Sequence, residues 1–299
     1  MSRRGRAGWG VPALVAVLLF AGCGTPRSGD LGPAPTAPPP NAAPTDGPAP
    51  TPTPAAEPTP PPADRPPRPS APASTGTRRP DPVTIELWYV RAGLLVPTRR
   101  TRPATVATSR LALTELAAGP TPAEAATGMT TLLPSGVEVT RIADGVATLR
   151  VPSVGDPGTR RLREAQVVWT LTQFPTVRQI RLDDAAPVDR ADYTDLLPPI
   201  VVTSPIPGER VSAPLVVTGT ATVFEATVSI RVLNAAGQEV ATGFGTASCG
   251  NGCRGGYRVV LTWRTVREQQ GTVEVYEVSA RDGARINTMA VPVVLAPGT

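Results

Sequence analysis

The pattern of apolar and polar positions changes character three times along the chain. After Arg3, Arg4 and Arg6, an uncharged apolar run extends from Val11 to Ala21. It is shorter than the roughly 20 residues a helix needs to cross a bilayer core, so residues 1–22 read as a signal peptide and not as a membrane span. Residues 25–82 show no apolar period, and 21 of these 58 residues are proline. At Val83 periodicity begins abruptly. Val83–Val90 is a β-rich run. Ser109–Ala118 puts Leu113, Leu116 and Ala117 on one side of a helix that Gly119-Pro120 stops. Thr121-Pro122-Ala123-Glu124 carries a capping residue, a proline suited to the first helical position and a glutamate that closes a capping box. Val137–Val151 reads as a hairpin turning at Asp144-Gly145. Leu162–Phe174 reads as a second long helix with Leu162, Ala165, Val168, Trp169 and Thr172 as its apolar stripe, and Val177–Leu182 alternates as a last strand. The order β-α-β-β-α-β predicts an α+β domain over 83–197, with helices on one face of a small sheet.

Beyond Pro198-Pro199 the apolar period is two. Runs at 200–203, 215–222, 227–233, 239–244, 257–263, 272–279 and 289–295 are separated by turn residues such as Pro207-Gly208, Asn234-Ala235-Ala236-Gly237 and Asp282-Gly283. Short strands with regular turn signals and no helix predict an all-β sandwich over 198–299.

Composition narrows the chemistry. Of 299 residues 29 are basic, all of them arginine, and histidine is absent. Imidazole bases, histidine metal ligands, lysine Schiff bases and lysine-dependent phosphate loops are therefore excluded. Three cysteines cannot complete an all-thiolate zinc site. No cofactor and no metal is expected. Of the formal charge of +5, three charges belong to residues 1–22, which leaves 26 arginines against 24 acids. With no basic run interleaved with aromatics, nucleic-acid binding is not expected. Residues 23–82 form a Pro-rich linker with five arginines balanced by five acids. It lacks the apolar bulk to offset the entropy of ordering and is expected to be disordered, with a fully extended reach on the order of 180 Å.

Phe20-Ala21-Gly22-Cys23 resembles a bacterial lipobox, with Phe20 where that pattern usually has Leu. The resemblance implies lipidation of Cys23 and a membrane anchor on the outer face of the cytoplasmic membrane. The linker would then let the folded part project into the cell wall. Only Cys249 and Cys253 remain, in an oxidising compartment. Gly250 and Gly252 permit the tight turn that brings their sulfurs together, so a local disulfide is expected.

Leu94-Leu95-Val96-Pro97, Leu116-Ala117-Ala118-Gly119-Pro120, Leu133-Pro134-Ser135-Gly136 and Trp169-Thr170-Leu171-Thr172-Gln173-Phe174-Pro175 resemble the GerMN domain of sporulation and germination lipoproteins. Related domains are similar to ring-building motifs, which implies protein–protein assembly and self-association. The family pattern usually closes its last strand with a glycine turn. Here Asp183-Asp184-Ala185 stands instead, so a different C-terminal edge is expected. Thr203-Ser204-Pro205-Ile206-Pro207-Gly208, Val217-Thr218-Gly219-Thr220-Ala221 and Val223-Phe224-Glu225-Ala226 resemble the immunoglobulin-like domain associated with spore germination. Tyr276-Glu277 and Arg281-Asp282-Gly283 extend that match.

Two charge clusters stand out as candidate interaction patches. Arg91, Arg99, Arg100, Arg102 and Arg110 are met by no acid between residues 87 and 114, while Asp183, Asp184, Asp189, Asp192 and Asp195 gather at the other end of the domain. Opposite patches on one domain suit head-to-tail assembly, unless they are neutralised within the monomer. Phe224-Glu225 reads as a strand connection whose glutamate is buried against backbone groups. No catalytic residue is marked. The expected role is a non-catalytic envelope scaffold or binding module whose partners are peptidoglycan or envelope proteins. The alternatives are an accessory lipoprotein of a sensor kinase or transport complex and, less well supported, a wall-modifying enzyme.

Overall fold

A computed structural model describes residues 81–297 apart from 152–155 and 251, and the readings made for residues 1–80, including Cys23, lie outside the described residues. The described residues belong to one compact unit. It opens with β1 (Pro82–Arg91) and β2 (Leu94–Pro103), an antiparallel hairpin turning at Ala92-Gly93. Both turn residues have positive φ, the geometry that matches the twist of the flanking strands. The sequence pattern does not announce β2, because Arg99, Arg100 and Arg102 interrupt its apolar alternation. The register explains them. Leu87 lies opposite Thr98 and Ile85 opposite Arg100, so Thr98 and Arg100 point to the buried face of the hairpin.

Helices α1 (Thr108–Ala118) and α2 (Pro122–Ala125) follow. Gly119 ends α1 with φ +88°, and Thr121 and Glu124 form the capping box of α2. A three-stranded sheet comprises β3 (Glu138–Ala143), β4 (Val146–Arg150) and β5 (Gln179–Leu182), with β3 and β4 antiparallel and β5 parallel to β4. Helix α3 (Pro157–Leu171) crosses between β4 and β5. It starts five residues before the apolar stripe, because Asp156 caps the N–H groups of Gly158 and Thr159 and Pro157 occupies the first turn. The expected single sheet is thus corrected to a hairpin and a separate three-stranded sheet, with α1 and α3 packed on β1.

Helix α3 is buried far more widely than one stripe, and its polar residues explain why. The free edge of β1 exposes backbone groups that the hairpin cannot pair. Trp88 N–H donates to Thr170 Oγ1 (3.1 Å), and Gln166 Nε2 donates to Trp88 O (2.9 Å). Gln173 accepts from Glu86 N–H (2.8 Å) and donates back to Glu86 O (2.7 Å). Residues 166, 170 and 173 lie on one face of the helix and its C-terminal cap, so side chains stand in for a neighbouring strand. Trp88 and Trp169 pack with ring centroids 4.6 Å apart, and Trp88 Nε1 donates to Glu86.

The second half is a sandwich. Its strands are β6 (Ile200–Ser204), β7 (Arg210–Val211), β8 (Leu215–Ala221), β9 (Thr227–Asn234), β10 (Glu239–Thr246), β11 (Gly255–Leu261), β12 (Gln269–Val278) and β13 (Arg285–Leu295). One sheet has the order β10-β9-β12-β13-β7 and the other β11-β8-β6. The seven expected strands are all present, and the two-residue β7 is added. Val217, Val228, Ile230, Val232, Val273, Val275 and Val293 fill the space between the sheets. Tyr257 closes one side, its hydroxyl donating to Val201 O (3.1 Å) above Gly219, where any Cβ would strike that same oxygen.

The two halves share one hydrophobic core. Pro198 is buried and its carbonyl accepts from Arg254 (2.7 Å), so the connection is a packed joint. Arg99 on β2 reaches Ser204 (2.9 Å) and Glu209 (3.1 Å). Val96, Pro97 and Met129 face Val202, Pro205 and Met289.

Candidate interaction surfaces

The basic cluster is not an open patch. Arg100 is buried and forms a bidentate pair with Glu124, which is 1% exposed and also accepts from Thr98 Oγ1 and Thr121 N–H. Arg102 pairs with Glu115 through both Nε and Nη2 (2.7 and 2.8 Å), and Arg99 pairs with Glu209. The expectation of interaction patches at Arg99, Arg100 and Arg102 is corrected on this ground. Their partners lie at 115, 124 and 209, outside the sequence window in which no acid occurs. Burial alone would raise the Glu124 carboxyl, but hydrogen bonds from Arg100, Thr98 and Thr121 outweigh it and hold the group below its ordinary value. Tyr89, whose hydroxyl donates to Gly119 O (2.7 Å), is pushed up to about 12 by burial.

The acidic cluster divides. Asp189 and Asp192 form a capping box, and Asp195 pairs with Arg161 (2.8 Å). Asp183 and Asp184 are exposed, and neither carboxylate bonds to another described residue. Asp183 has φ +51° and Ala185 N–H returns to Leu182 O, so the turn expected from a glycine is made by an aspartate, a residue that tolerates this region. The C-terminal edge keeps its turn. Arg190 clamps the segment beyond, with Nε donating to Thr172 (2.7 Å), Nη2 to Trp169 O (2.9 Å) and its guanidinium 4.6 Å from the Trp169 ring. Burial lowers its pKa.

In the sandwich, Cys249 and Cys253 are joined by a disulfide. The loop they close packs on the β8–β9 connection: a Cβ at Gly250 would lie 2.7 Å from Ala226 N, and Ala247 N–H donates to Ala226 O (2.8 Å). The reading of Glu225 as a buried glutamate is corrected. Glu225 is exposed at φ +52°, and the buried carboxylate is Glu277 on β12. Glu277 accepts from Phe224 N–H (2.9 Å) and from Asn287 Nδ2 (2.7 Å), tying the β8–β9 connection to the start of β13. Sequence spacing offers no sign of this, because the pair is 53 residues apart.

The cavities are small. One between α3 and β5, lined by Arg160, Arg163, Glu164 and Asp183 among others, has about 30 Å³, and one at the joint has about 20 Å³. Each holds about one water. Larger depressions are open grooves, such as that between Thr121–Glu124 and Ile206–Glu209. Among the described residues no cluster of acids and cysteines is placed to hold a metal, and no helix is long and apolar enough to cross a membrane.

Comparisons with known proteins agree with both halves. Residues 84–183 match the Germane family, described as sporulation and spore germination. Residues 199–284 match Gmad2, the immunoglobulin-like domain of bacterial spore germination. A solved structure of the tandem GerMN domains of the sporulation protein GerM from Bacillus subtilis aligns at 16% identity and a TM-score of 0.32, covering 72% of this chain and 61% of that one. No curated protein matches. The matched families are germination-associated domains and are not known as enzymes. The chain carries a Germane-type α+β domain followed by a Gmad2-type immunoglobulin-like domain.

Proposed function

We propose that this protein is a non-catalytic module of the bacterial cell envelope, anchored through Cys23 and held off the membrane by its Pro-rich linker. Its role would be to present binding surfaces to wall polymer or envelope proteins in sporulation- or germination-type assemblies. One observation carries this reading: the buried ionisable groups are committed to structure. Glu124 and Arg100 neutralise each other inside the first domain, and Glu277 and Arg254 tie loops and the joint together. The enclosed cavities have room for about one water, and in the open groove beside Glu124 the charged side chains are already spent on one another, as Arg100 with Glu124 and Arg99 with Glu209. What the fold offers is surface on a frame whose two halves share a core.

The experiment is co-sedimentation of the full chain with purified wall sacculi, together with in-cell crosslinking. Recovery with sacculi, or crosslinks to envelope proteins, supports the reading. Neither, or release of wall fragments during incubation, overturns it. Crosslinking that returned a sensor kinase or a transporter would move the role to that of an accessory subunit.

A further inference from the structure

Strand β10 is built inside out. Its Gly243-Phe244-Gly245 segment points the glycines at the core and the phenylalanine at solvent, 75% exposed. The inward positions have no room: a Cβ at Gly243 would lie 2.7 Å from Leu261, and one at Gly245 2.6 Å from Val259. Those glycines are explained by close approach of β11, whereas packing does not explain Phe244. Across the sheet Phe244 stands opposite Ser229 on β9, and Ser229 opposite Tyr276 on β12. Two strand spacings separate the two aromatic side chains, about 10 Å. The Arg285 guanidinium lies 5.7 Å from the Tyr276 ring. Thr227 and Thr246 form the next row, and Thr242 flanks the Arg231–Glu274 ion pair, which cancels its own charge (2.7 Å).

We infer that this outer face of the five-stranded sheet binds an extended glycan strand, Phe244 and Tyr276 being its stacking platforms. The inference rests on the envelope role proposed above and names its ligand. A pyranose ring carries a face of C–H groups that packs on an aromatic ring, with hydroxyls around its rim. Two aromatic side chains with a serine between them, edged by threonines, offer such a ring both kinds of contact. Two strand spacings, about 10 Å, are about the span of one disaccharide in an extended β-linked chain. The Arg231–Glu274 pair cancels its own charge, and Arg285 beside Tyr276 leaves a cation for a carboxylate carried by the glycan. A second copy of this chain would need a broad apolar centre, and here the exposed apolar side chains stand singly among hydroxyls.

The test uses the full chain and glycan strands freed of their stem peptides. Wild type should be retained, and Phe244→Ala and Tyr276→Ala should each weaken binding on the order of tenfold. Phe244→Trp should keep it, and unchanged thermal unfolding would show that the variants are folded. Retention unaffected by either alanine variant overturns the surface assignment while the envelope role stands. Failure of wild type to bind peptide-free glycan overturns the glycan inference. The envelope role then survives if crosslinks to envelope proteins are still found, and falls if they are not.

Discussion

The two domains meet the same hazard, an unpaired sheet edge, by opposite means. In the first, the free edge of β1 is closed by Gln166, Thr170 and Gln173, side chains of a helix that pair with backbone one group at a time. In the sandwich, β6 is covered by the first domain itself, through β2 and Arg99. The first edge is therefore closed by polar side chains of its own domain and the second by contact with a neighbouring domain. Closed edges also bear on assembly. Strand addition at β1 is blocked by its own helix, whereas β10 stands at the edge of its sheet, so that edge and the outer face of the β10-β9-β12-β13 sheet are the surfaces open to partners.

The strongest way to break this contrast is at Glu124. Glu124→Gln leaves Arg100 buried without its counter-charge, and equilibrium unfolding should show a loss of about 3–5 kcal/mol. Replacing both partners, Arg100→Met with Glu124→Leu, should cost far less, because no orphaned charge remains. The same pair gives a pH dependence. The folded-state pKa of Glu124 is depressed, so its contribution is complete above the unfolded value of 4.5 and is lost as pH falls from there through the folded value. Denaturation midpoints measured from neutral pH downward should fall in that acid range, and the double variant should lack this component.

A smaller effect tests the helix that mimics a strand. Thr170→Val keeps shape and removes the acceptor of Trp88 N–H, leaving a buried donor unpaired at a cost of about 1–3 kcal/mol. An exposed hydroxyl such as that of Thr262 should be replaceable at no more than about 0.5 kcal/mol.

These two sites mark what could be read in advance. The sandwich strands were visible because a period of two survives in any window of six residues. The capping box at Thr121–Glu124 was visible because its partners are three apart. Strand β2 was not, since its inward positions are Thr98 and Arg100, and an arginine facing inward is intelligible only once Glu124 is known to stand opposite. The arginine cluster looked like a patch for the same reason: local sequence shows charges, and tertiary contact pairs them. Glu277 was hidden likewise, its partners Phe224 and Asn287 being remote or across a bulge. Phe244 appeared as one more strand residue, and the glycines that turn it outward make sense only beside Leu261 and Val259.

In the sandwich the corresponding lever is covalent. The Cys249–Cys253 bridge closes a loop with a sequence separation of only 4, so in the chain-entropy account its loss costs at most about 2 kcal/mol. Cys249→Ala with Cys253→Ala should leave the sandwich folded. Hydrogen exchange should rise at Ala247, whose N–H bonds Ala226 O, and not at Val273 or Val275 between the sheets. Global unfolding of this variant at ordinary temperature would show that the bridge holds the fold and not its rim.

The smallest effect probes the joint itself. Arg99 and Glu209 are each about a third exposed, at 36% and 34%, so water screens their attraction. Arg99→Ala should cost only about 0.2–1 kcal/mol. Its value lies in cooperativity more than in size. Because the two domains share one core through Val96, Met129, Val202 and Met289, they should still unfold in a single transition once this ion pair is gone. Two resolved transitions in calorimetry would mean that the apolar joint is weaker than one polar contact. The sandwich would then behave as an independent body on a hinge at Pro198, and the edge of β6, unlike that of β1, would be covered only while the two halves are docked.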